Sequence, residues 1–599
     1  MIMSKKNINT FLIFWLTIFA FTYLYYFLKA YFVPLFGDEA ATFFFYAFPA
    51  DYLPFTSHPG PNNHFLNSFL TSIFYQLFGS DKLVLRLGSL MFYPIYFIYS
   101  YKISTQLKSS LLQWALMSAL ILSHNFTEFF ITTRGYGMSM ALLLGLIFHL
   151  KSYVEKGDFK NLLAVLLLNF LMLSANLSLL IIALITFVIL FFILISKKHS
   201  IKDWLIFLIM SLSTLALFIS ISFYFREVGQ LYYGNAIGFW ETSVKSSIIL
   251  IFNSYQLWIA ALLVIGFILI VYNYLYSIIK THLITFITDS KMIIAHFLLG
   301  NIIAIYLMNI LLDINYPEDR TAMHLYLLFL LSFIYILDNQ KITNYKWIKY
   351  LSIPLFLLPL HFLNEINLKY TRCYIEDRLP ERFYKQVVQD QMNQDYTPIV
   401  GGYRTRGMSW YYQNYQNKGD LPFLFWTQYP DTISDYMIVE LQKYPELKAI
   451  YDSLDFDAVN KRYLVKRSTP LKRTLIYDSE NTSFTGITEN EYIGIWEIQG
   501  DSLNNEQLVF EIDIVLSAQK KPFNCWVVAS ASDSLGNSTQ YEYAGLTWAR
   551  SELNKSEFKF SIPLINTPKS TTKKVVYLWN VKKKTLDVIR NRVKVYKLN

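Results

Sequence analysis

Cysteine, paired metal-ligand motifs and charge are all scarce in this chain. Two cysteines occur in 599 residues, Cys373 and Cys525, too few for a disulfide framework or a cysteine-based metal site. Two separate thiols are the expected state, with a single bridge in an oxidising compartment as the alternative. No His-x-x-x-His spacing is present, which removes one common zinc motif. Charged residues make up only 16% of the chain, which excludes an ordinary soluble globule. The formal net charge of +10 would suit nucleic acid, yet the basic residues are scattered through short loops rather than gathered into one stripe, so no nucleic-acid partner is expected. No small-residue cleavage site follows the first apolar run, which reads as an anchor rather than a signal peptide.

What the chain has instead is apolar length. Hydrophobic residues are 54% and aromatic residues 18%, with a mean hydropathy of +0.31. Runs able to span a bilayer of roughly 30 Å fall at 11–33, 83–103, 111–131, 136–152, 161–177, 178–196, 203–225, 248–275, 292–312, 321–338 and 347–364, about eleven crossings in all. The run 161–196 is divided at Ser174-Ala175-Asn176. With the N-terminus in the cytoplasm, the inside loops hold Lys102 and Lys108; Lys151, Lys156 and Lys160; Lys197, Lys198 and Lys202; Lys280 and Lys291; and Lys341, Lys346 and Lys349. The other connections are poor in lysine, the positive-inside pattern. The remaining polar groups, at 34–82, around Arg134, at 226–245 and at 313–320, then share the outer face with everything beyond 364.

The first outer loop is far longer than a connection requires, and such loops carry function. It opens on Gly37-Asp38-Glu39, two adjacent carboxylates just past the first span. They repel unless a cation, a donor or a shared proton relieves them; the plainer reading is that they cap the next helix. A turn-rich cluster follows, Ser57-His58-Pro59-Gly60-Pro61-Asn62-Asn63-His64. Then 65–78 carries bulky apolar residues at three- and four-residue spacing, a helix in the membrane interface or packed on the bundle, with Asn62 or Asn63 as its cap.

Several of these features together resemble the GT-C glycosyltransferases, more narrowly the polytopic enzymes related to protein O-mannosyltransferases and lipid A aminoarabinose transferases. They are Gly-Asp-Glu at the end of the first span, His-Pro and Asn-Asn-His ahead of an amphipathic helix, Leu83-Val84-Leu85-Arg86-Leu87-Gly88-Ser89-Leu90 opening the second span, and Thr132-Thr133-Arg134-Gly135-Tyr136-Gly137. The resemblance covers roughly residues 10–340. It implies transfer of a sugar from a polyprenyl-phosphate donor to a lipid, glycan or protein acceptor on the outer side of the membrane, with inversion. An acceptor hydroxyl needs a base in hydrogen-bond reach, and Asp38 is the candidate, with Glu39 placing the acceptor, binding a cation or holding Asp38. The leaving phosphate calls for fixed cations: Arg134 and Arg320, whose guanidinium groups match phosphate oxygens, and behind them Lys82 and Arg86. His58, Asn63, His64 and Tyr136 are left to position the acceptor. No cofactor is firmly implied; a divalent metal shared by Glu39 and His58 is the alternative use of those groups. Tyr232, Tyr233 and Trp240 read as interfacial aromatics.

Past 364 the composition turns polar and no run can span. The expected fold class is therefore an all-α membrane bundle of about eleven helices, GT-C-like, at 1–364, with its long outer loop at 34–82. A small α/β region follows at 365–471, with strands at 398–402, 435–439 and 463–465 and a helix at 444–454. A β-sandwich of jelly-roll type takes 472–599, with strands at 494–498, 508–514, 526–529, 558–562 and 575–579. Sugar binding by the sandwich and a spacer or acceptor-docking role are equally open. The chief alternative for the whole chain is a transporter or flippase, which calls for internal repeats and interrupted helices that are not evident. A mere anchor for the sandwich needs fewer spans; a glycan polymerase or ligase stays within the enzyme class.

Overall fold

The computed structural model describes the chain except for residues 1–4, 61, 197–198, 231–232, 340–346, 393–395, 406, 422, 481–484, 501–505, 518–524, 550–556 and 566. Pro61, Lys197, Lys198, Tyr232, Lys341 and Lys346 therefore lie outside the described residues. The chain divides into two units, one of Met1–Val33 with Phe45–Cys373, the other of Pro34–Phe44 with Tyr374–Asn599. That division differs from boundaries drawn on composition, because the short stretch carrying Asp38 and Glu39 groups with the C-terminal part of the chain.

The first unit is helical. Among the described residues eight helices are long and apolar enough to cross a membrane: Thr10–Phe32, Lys82–Ser104, Gly135–Lys156, Leu177–Ser196, Ile201–Glu227, Leu257–Lys280, Ile293–Leu312 and Asp319–Asp338. The chain is a polytopic membrane protein. Three of the eleven expected crossings form shorter helices: Ser110–Ile121 and Phe159–Ala175, and a 3-10 segment Ile348–Phe356 that runs into Leu357–Glu365. A twelve-residue helix covers only about 18 Å. The run 161–196 is parted at Asn176, whose side-chain oxygen accepts from the Ser178 hydroxyl at 2.8 Å.

The amphipathic segment of the first loop is the helix Phe65–Phe78, and it is turned inside out. Its buried face holds Asn67, Ser68, Thr71 and Ser72, while Leu77 and Phe78 are 66% and 62% exposed. The polar stripe works: Ser68 donates to Asn63 Oδ1 (2.8 Å), Ser72 to the Ala47 carbonyl (3.0 Å) and Thr71 to the Leu85 carbonyl (3.3 Å). In lipid, polar groups face protein and apolar ones face outward. Gly88 permits the close approach, since a Cβ there would lie 3.0 Å from Leu70 Cβ. The helix is capped by neither asparagine: His64 is the N-cap residue and makes no side-chain cap bond, because Asn63 is spent on Tyr52 O (3.0 Å), Ser57 and Ser68.

The lysine-bearing loops gather at one end of this unit. Lys108 and Ser109 backbone N–H groups donate to Asp338 at 2.9–3.0 Å. The Lys151 ammonium lies 3.8 Å from the Tyr335 ring centre, and Tyr335 reaches Gln106 at 2.9 Å.

The second unit contains an α/β sheet and a sandwich. In the α/β part, β1 (Val400–Tyr403), β2 (Phe425–Thr427), β3 (Tyr436–Val439), β4 (Tyr451–Asp457) and β5 (Arg462–Arg467) stand in the order β2-β1-β3-β5-β4. Strands β2, β1 and β3 are parallel; β5 runs antiparallel to β3 and β4. The helix expected at 444–454 is corrected here. Only the turn Pro445–Ala449 is helical, and the chain from Tyr451 pairs with β5 instead, its Tyr451 buried with Met437, Val439 and Val465.

The sandwich strands are β6 (Arg473–Glu480), β7 (Gly486–Thr488), β8 (Tyr492–Gln499), β9 (Leu508–Leu516), β10 (Trp526–Asp533), β11 (Ser538–Gly545), β12 (Glu557–Leu564), β13 (Thr571–Trp579) and β14 (Leu586–Leu598). One sheet is β11-β10-β13-β8, the other β12-β9-β14-β6 with β7 beside β14. Inner faces meet, with Trp496 of β8 against Phe510 of β9 at 5.1 Å. Cys373 and Cys525 are not bridged to each other, and burial pushes the Cys525 thiol up to about 12.

One ion pair ties the sheet to the sandwich. Arg473 at the start of β6 meets Asp435 at 2.7 Å, and both side chains are under 10% exposed; the same carboxylate accepts from the Ile399 N–H at 2.7 Å. Asp435→Ala strands the guanidinium and is expected to lower stability by about 3–5 kcal/mol, read in thermal unfolding of the full-length protein. A second expectation concerns pH. Burial raises the Glu542 carboxyl from 4.5 to about 7, so its contribution to stability is full in acid and is lost as pH rises through about 7. Glu542→Gln should match the wild type in acid buffer and melt higher than it in alkaline buffer; equal melting at both ends would refute this.

Candidate functional site

The acid turn sits at the head of the short helix Gly37–Thr42. Glu39 is fully buried and Asp38 nearly so, at 7% exposure. The Phe36 N–H donates to Glu39 Oε2 at 3.3 Å, so Glu39 takes a capping position on the turn that presents Asp38. Thr42 donates back to the Asp38 carbonyl at 2.9 Å. The turn is held by rings: Phe36 stacks on Tyr374 at 3.5 Å, and Phe43 packs edge-on against Tyr412 and Tyr415 at 5.9 and 5.3 Å.

In the helical unit, the end away from the lysines collects the other candidates. Arg134 is 1% exposed; its Nη1 donates to the Asn62 carbonyl at 3.0 Å, and its guanidinium carbon lies 5.6 Å from the Tyr136 ring centre. His64 is buried edge-on to Tyr136 at 4.7 Å and donates from Nδ1 to the Ala175 carbonyl at 2.7 Å. That fixes its tautomer, leaving buried Nε2 as an acceptor with no partner among the described residues. Burial first, then the charges of Arg134 and Arg320, hold its pKa well below the usual imidazole range, so it is neutral. Gly135 makes the junction feasible: a Cβ there would fall 1.9 Å from the Ala175 oxygen and 2.8 Å from His64 Nδ1. Arg320, half-buried, lies 4.8 Å over the Tyr233 ring. Its loop is fastened by the Ser243 hydroxyl to Pro317 O at 2.6 Å and by the Asp319 N–H to Ser246 Oγ at 2.9 Å.

The helices also form an apolar cavity of about 380 Å³ lined by Phe239, Trp240, Ser243, Phe267, Ile302, Leu325 and Phe329 among others. The remaining candidates have other surroundings. Arg86 is fully buried and gives Nη1 to the Ala30 and Val33 carbonyls at 2.9 and 2.8 Å, closing the C-terminal end of the first span. Lys82 is the first residue of its helix and half-buried. His58 is exposed and stacks on Phe45 at 4.3 Å. Among the described residues no group of three or more His, Cys, Asp or Glu could hold a metal ion.

The sequence reading passed over a buried network in the same unit. Lys29, inside the first span and fully buried, pairs with Glu128 and donates to Tyr25 Oη at 3.1 Å. Glu128 also accepts from the Arg372 N–H at 2.8 Å, and His124 Nε2 meets Tyr25 Oη at 2.8 Å. The signal was available: an ionisable residue within a span is a functional candidate by default. Glu128→Ala leaves the ammonium without its counter-charge and is expected to cost about 3–5 kcal/mol. Adding Lys29→Met should recover much of that loss, a coupling that thermal melting of the purified single and double variants measures.

No family model matches the chain, and no curated protein matches it. Among solved structures, arabinosyltransferase EmbB from Mycobacterium smegmatis is similar over 97% of this chain at 10% identity and a TM-score of 0.35, and the chain spans 64% of that protein's length. ArnT from Cupriavidus metallidurans is similar in its apo state over 76% of this chain and 98% of its own, at 11% identity and a TM-score of 0.34. The same enzyme bound to undecaprenyl phosphate is similar over 75% and 97%, at 12% identity and a TM-score of 0.32.

Proposed function

We propose that this protein is a membrane glycosyltransferase that moves a sugar from a polyprenyl-phosphate donor to a lipid, glycan or protein acceptor on the outer side of a plasma membrane. The observation that carries the reading is geometric: buried Arg134 lies over the Tyr136 ring against which His64 packs edge-on, and the Arg320 loop is fastened to Ser243, a residue that also lines the apolar cavity. Guanidinium groups suit a phosphate head, and the cavity suits the first isoprene units behind it. The lysine-bearing loops at the opposite end support an inward orientation for that end and a cytoplasmic N-terminus.

In the proposed reaction Asp38 accepts the proton of the acceptor hydroxyl as its oxygen bonds to the anomeric carbon. The bond from that carbon to the phosphate oxygen breaks on the opposite face, giving inversion and a lipid phosphate. Glu39 keeps the Asp38 turn in place through the Phe36 N–H. Arg134 and Arg320 meet the charge that grows on the departing phosphate. Arg86 is assigned to holding the first span and Lys82 to no step. His64, Asn63 and Tyr136 shape the pocket, and His58 is the outermost candidate for acceptor contact.

The test is transfer from a radiolabelled polyprenyl-phosphate sugar by the full-length protein in proteoliposomes. Asp38→Asn should lose about 10²–10⁴-fold in rate, and Arg320→Ala about 10²–10³-fold, with membrane insertion unchanged. Normal turnover by Asp38→Asn would remove it as the base. Movement of the lipid across the bilayer with no transfer in the wild type would favour the flippase alternative.

A further inference from the structure

The helix Gly407–Gln416 is enclosed on every side, with each residue from Ser409 to Tyr415 buried and none of them aliphatic. Buried polar atoms have to find partners, and here they tie the helix to the chain around it. Trp410 Nε1 donates to the Leu421 carbonyl at 2.8 Å and Gln413 Nε2 to the Leu379 carbonyl at 2.9 Å. Asn414 Oδ1 accepts from Tyr384 Oη at 2.8 Å and from the Leu421 N–H at 2.9 Å. Residues three apart share a helix face, so Tyr412 and Tyr415 lie on one face and Tyr411 and Asn414 on the next.

The first face carries the acid turn. Phe43, which follows the helix Gly37–Thr42, packs edge-on against Tyr412 and Tyr415, and Phe44 packs against Tyr415 at 5.9 Å. The second face carries the sandwich. Trp548, in the short helix Leu546–Ala549 between β11 and β12, stacks flat on Tyr411, with 4.0 Å between ring centres and 10° between planes. Its carbonyl accepts from Asn414 Nδ2 at 3.3 Å. The indole is itself fixed, since Trp526 of β10 meets it edge-on at 5.3 Å and the Leu546 N–H donates to the Cys525 carbonyl at 3.0 Å. Gly545 leaves room for it, a Cβ there lying 3.1 Å from the indole. All of these residues belong to the second unit, so two ring contacts and one helix connect β10 to the turn that bears Asp38.

We infer that the sandwich sets the position of the Asp38 carboxylate through the helix Gly407–Gln416, with Trp548 and Tyr411 as positioning residues for the transfer step. The inference rests on the proposed role of Asp38 as the base. Its physical ground is that a close-packed interior passes a displacement on instead of absorbing it. A helix held by a flat ring stack on one face and by edge-on rings on the next moves as a body. Taking away the indole frees the sandwich face, and the tyrosines on the other face then no longer fix Phe43. A base displaced by about 1 Å costs on the order of 10²-fold in rate. A loss of that kind falls on kcat and leaves KM where it was, because the base acts only as the transition state forms.

The experiment is hydrogen exchange of the full-length protein in proteoliposomes, read by mass spectrometry over residues 34–44, beside transfer from the radiolabelled polyprenyl-phosphate sugar. Trp548→Ala should speed exchange over 34–44 about tenfold, since local opening follows the contacts that hold a segment. It should also lower kcat by roughly 10- to 100-fold with the KM for the donor unchanged. Trp548→Phe, which keeps a ring on Tyr411, should retain most of the wild-type behaviour in both. Tyr412→Leu with Tyr415→Leu cuts the link at its other end and should act as Trp548→Ala does, which covers the case in which that variant fails to fold. Phe510→Ala opens a cavity against Trp496 of β8, at the far edge of the sheet from β11; it should lower the melting temperature and move neither readout. Exchange over 34–44 unchanged by both cuts, the same acceleration in Phe510→Ala, or faster exchange with kcat intact would overturn the inference. Exchange is read without donor or acceptor. A wild type that transfers no sugar therefore counts against the transferase reading, while the exchange arm still decides whether the sandwich holds the turn.

Discussion

The chain leaves its first span under the hold of two buried cations. The Arg86 guanidinium takes the carbonyls of Ala30 and Val33, groups that the end of any helix leaves without an internal partner. Lys29, one turn earlier, is fixed by Glu128 and Tyr25. Burying either charge costs several kcal/mol unless its partners are in place, so the geometry is all or nothing: the helix end is pinned or the unit is strongly destabilised. Four residues, Pro34, Leu35, Phe36 and Gly37, then lead from Val33 to Asp38.

The same economy governs the rest of the helical unit. With water excluded, backbone and side-chain polar groups must satisfy one another. Glu128 takes both the Lys29 ammonium and the Arg372 N–H. Asn125 gives its amide to the Leu250 carbonyl at 2.9 Å and to Asn253 at 2.7 Å, and Asn253 passes its own to Glu365 at 2.7 Å. The chain from 124 to 128 thereby joins the first span, the segment near 250 and the segment 365–372. The helix Phe65–Phe78 obeys the rule in reverse, its serines and threonines inward and its phenylalanines and leucines outward.

Much of this was legible in the sequence because it is local. Apolar run length gave the long helices, Asn176 parted the run 161–196, and three- and four-residue spacing gave the helix Phe65–Phe78 with its bounds. Alternation gave β8, β9, β10, β12 and β13. What could not be read depends on pairing between distant positions. Arg86 resembled a phosphate ligand because nothing near it in sequence announces the Ala30 and Val33 carbonyls. Lys29 was passed over because its partner, Glu128, lies far along the chain. The stretch 444–454 had helix-forming residues, and β5 overrode them by offering Tyr451 a strand partner. β11 lacks an apolar inward pattern, since Tyr541 and Tyr543 are exposed and Glu542 shares the side of Ala529, so periodicity had nothing to find. The grouping of 34–44 with the C-terminal unit goes with Phe36 against Tyr374 and Phe43 against Tyr412 and Tyr415, rings too far apart in sequence for any local rule.

His64 shows how burial divides labour in the proposed reaction. Its Nδ1 proton is committed to the Ala175 carbonyl, and two arginines together with burial keep the ring uncharged. A neutral ring offering only an acceptor nitrogen is unsuited to phosphate oxygen and suited to a hydroxyl or an amine. The arginines then answer to the phosphate, whose charge rises as the sugar departs, while His64 answers to a hydrogen-bond donor on the sugar. Proton removal falls to Asp38, carried on a separate turn. In that proposal charge, orientation and base belong to different parts of the chain, and the arginines reach His64 through the field that keeps its ring uncharged.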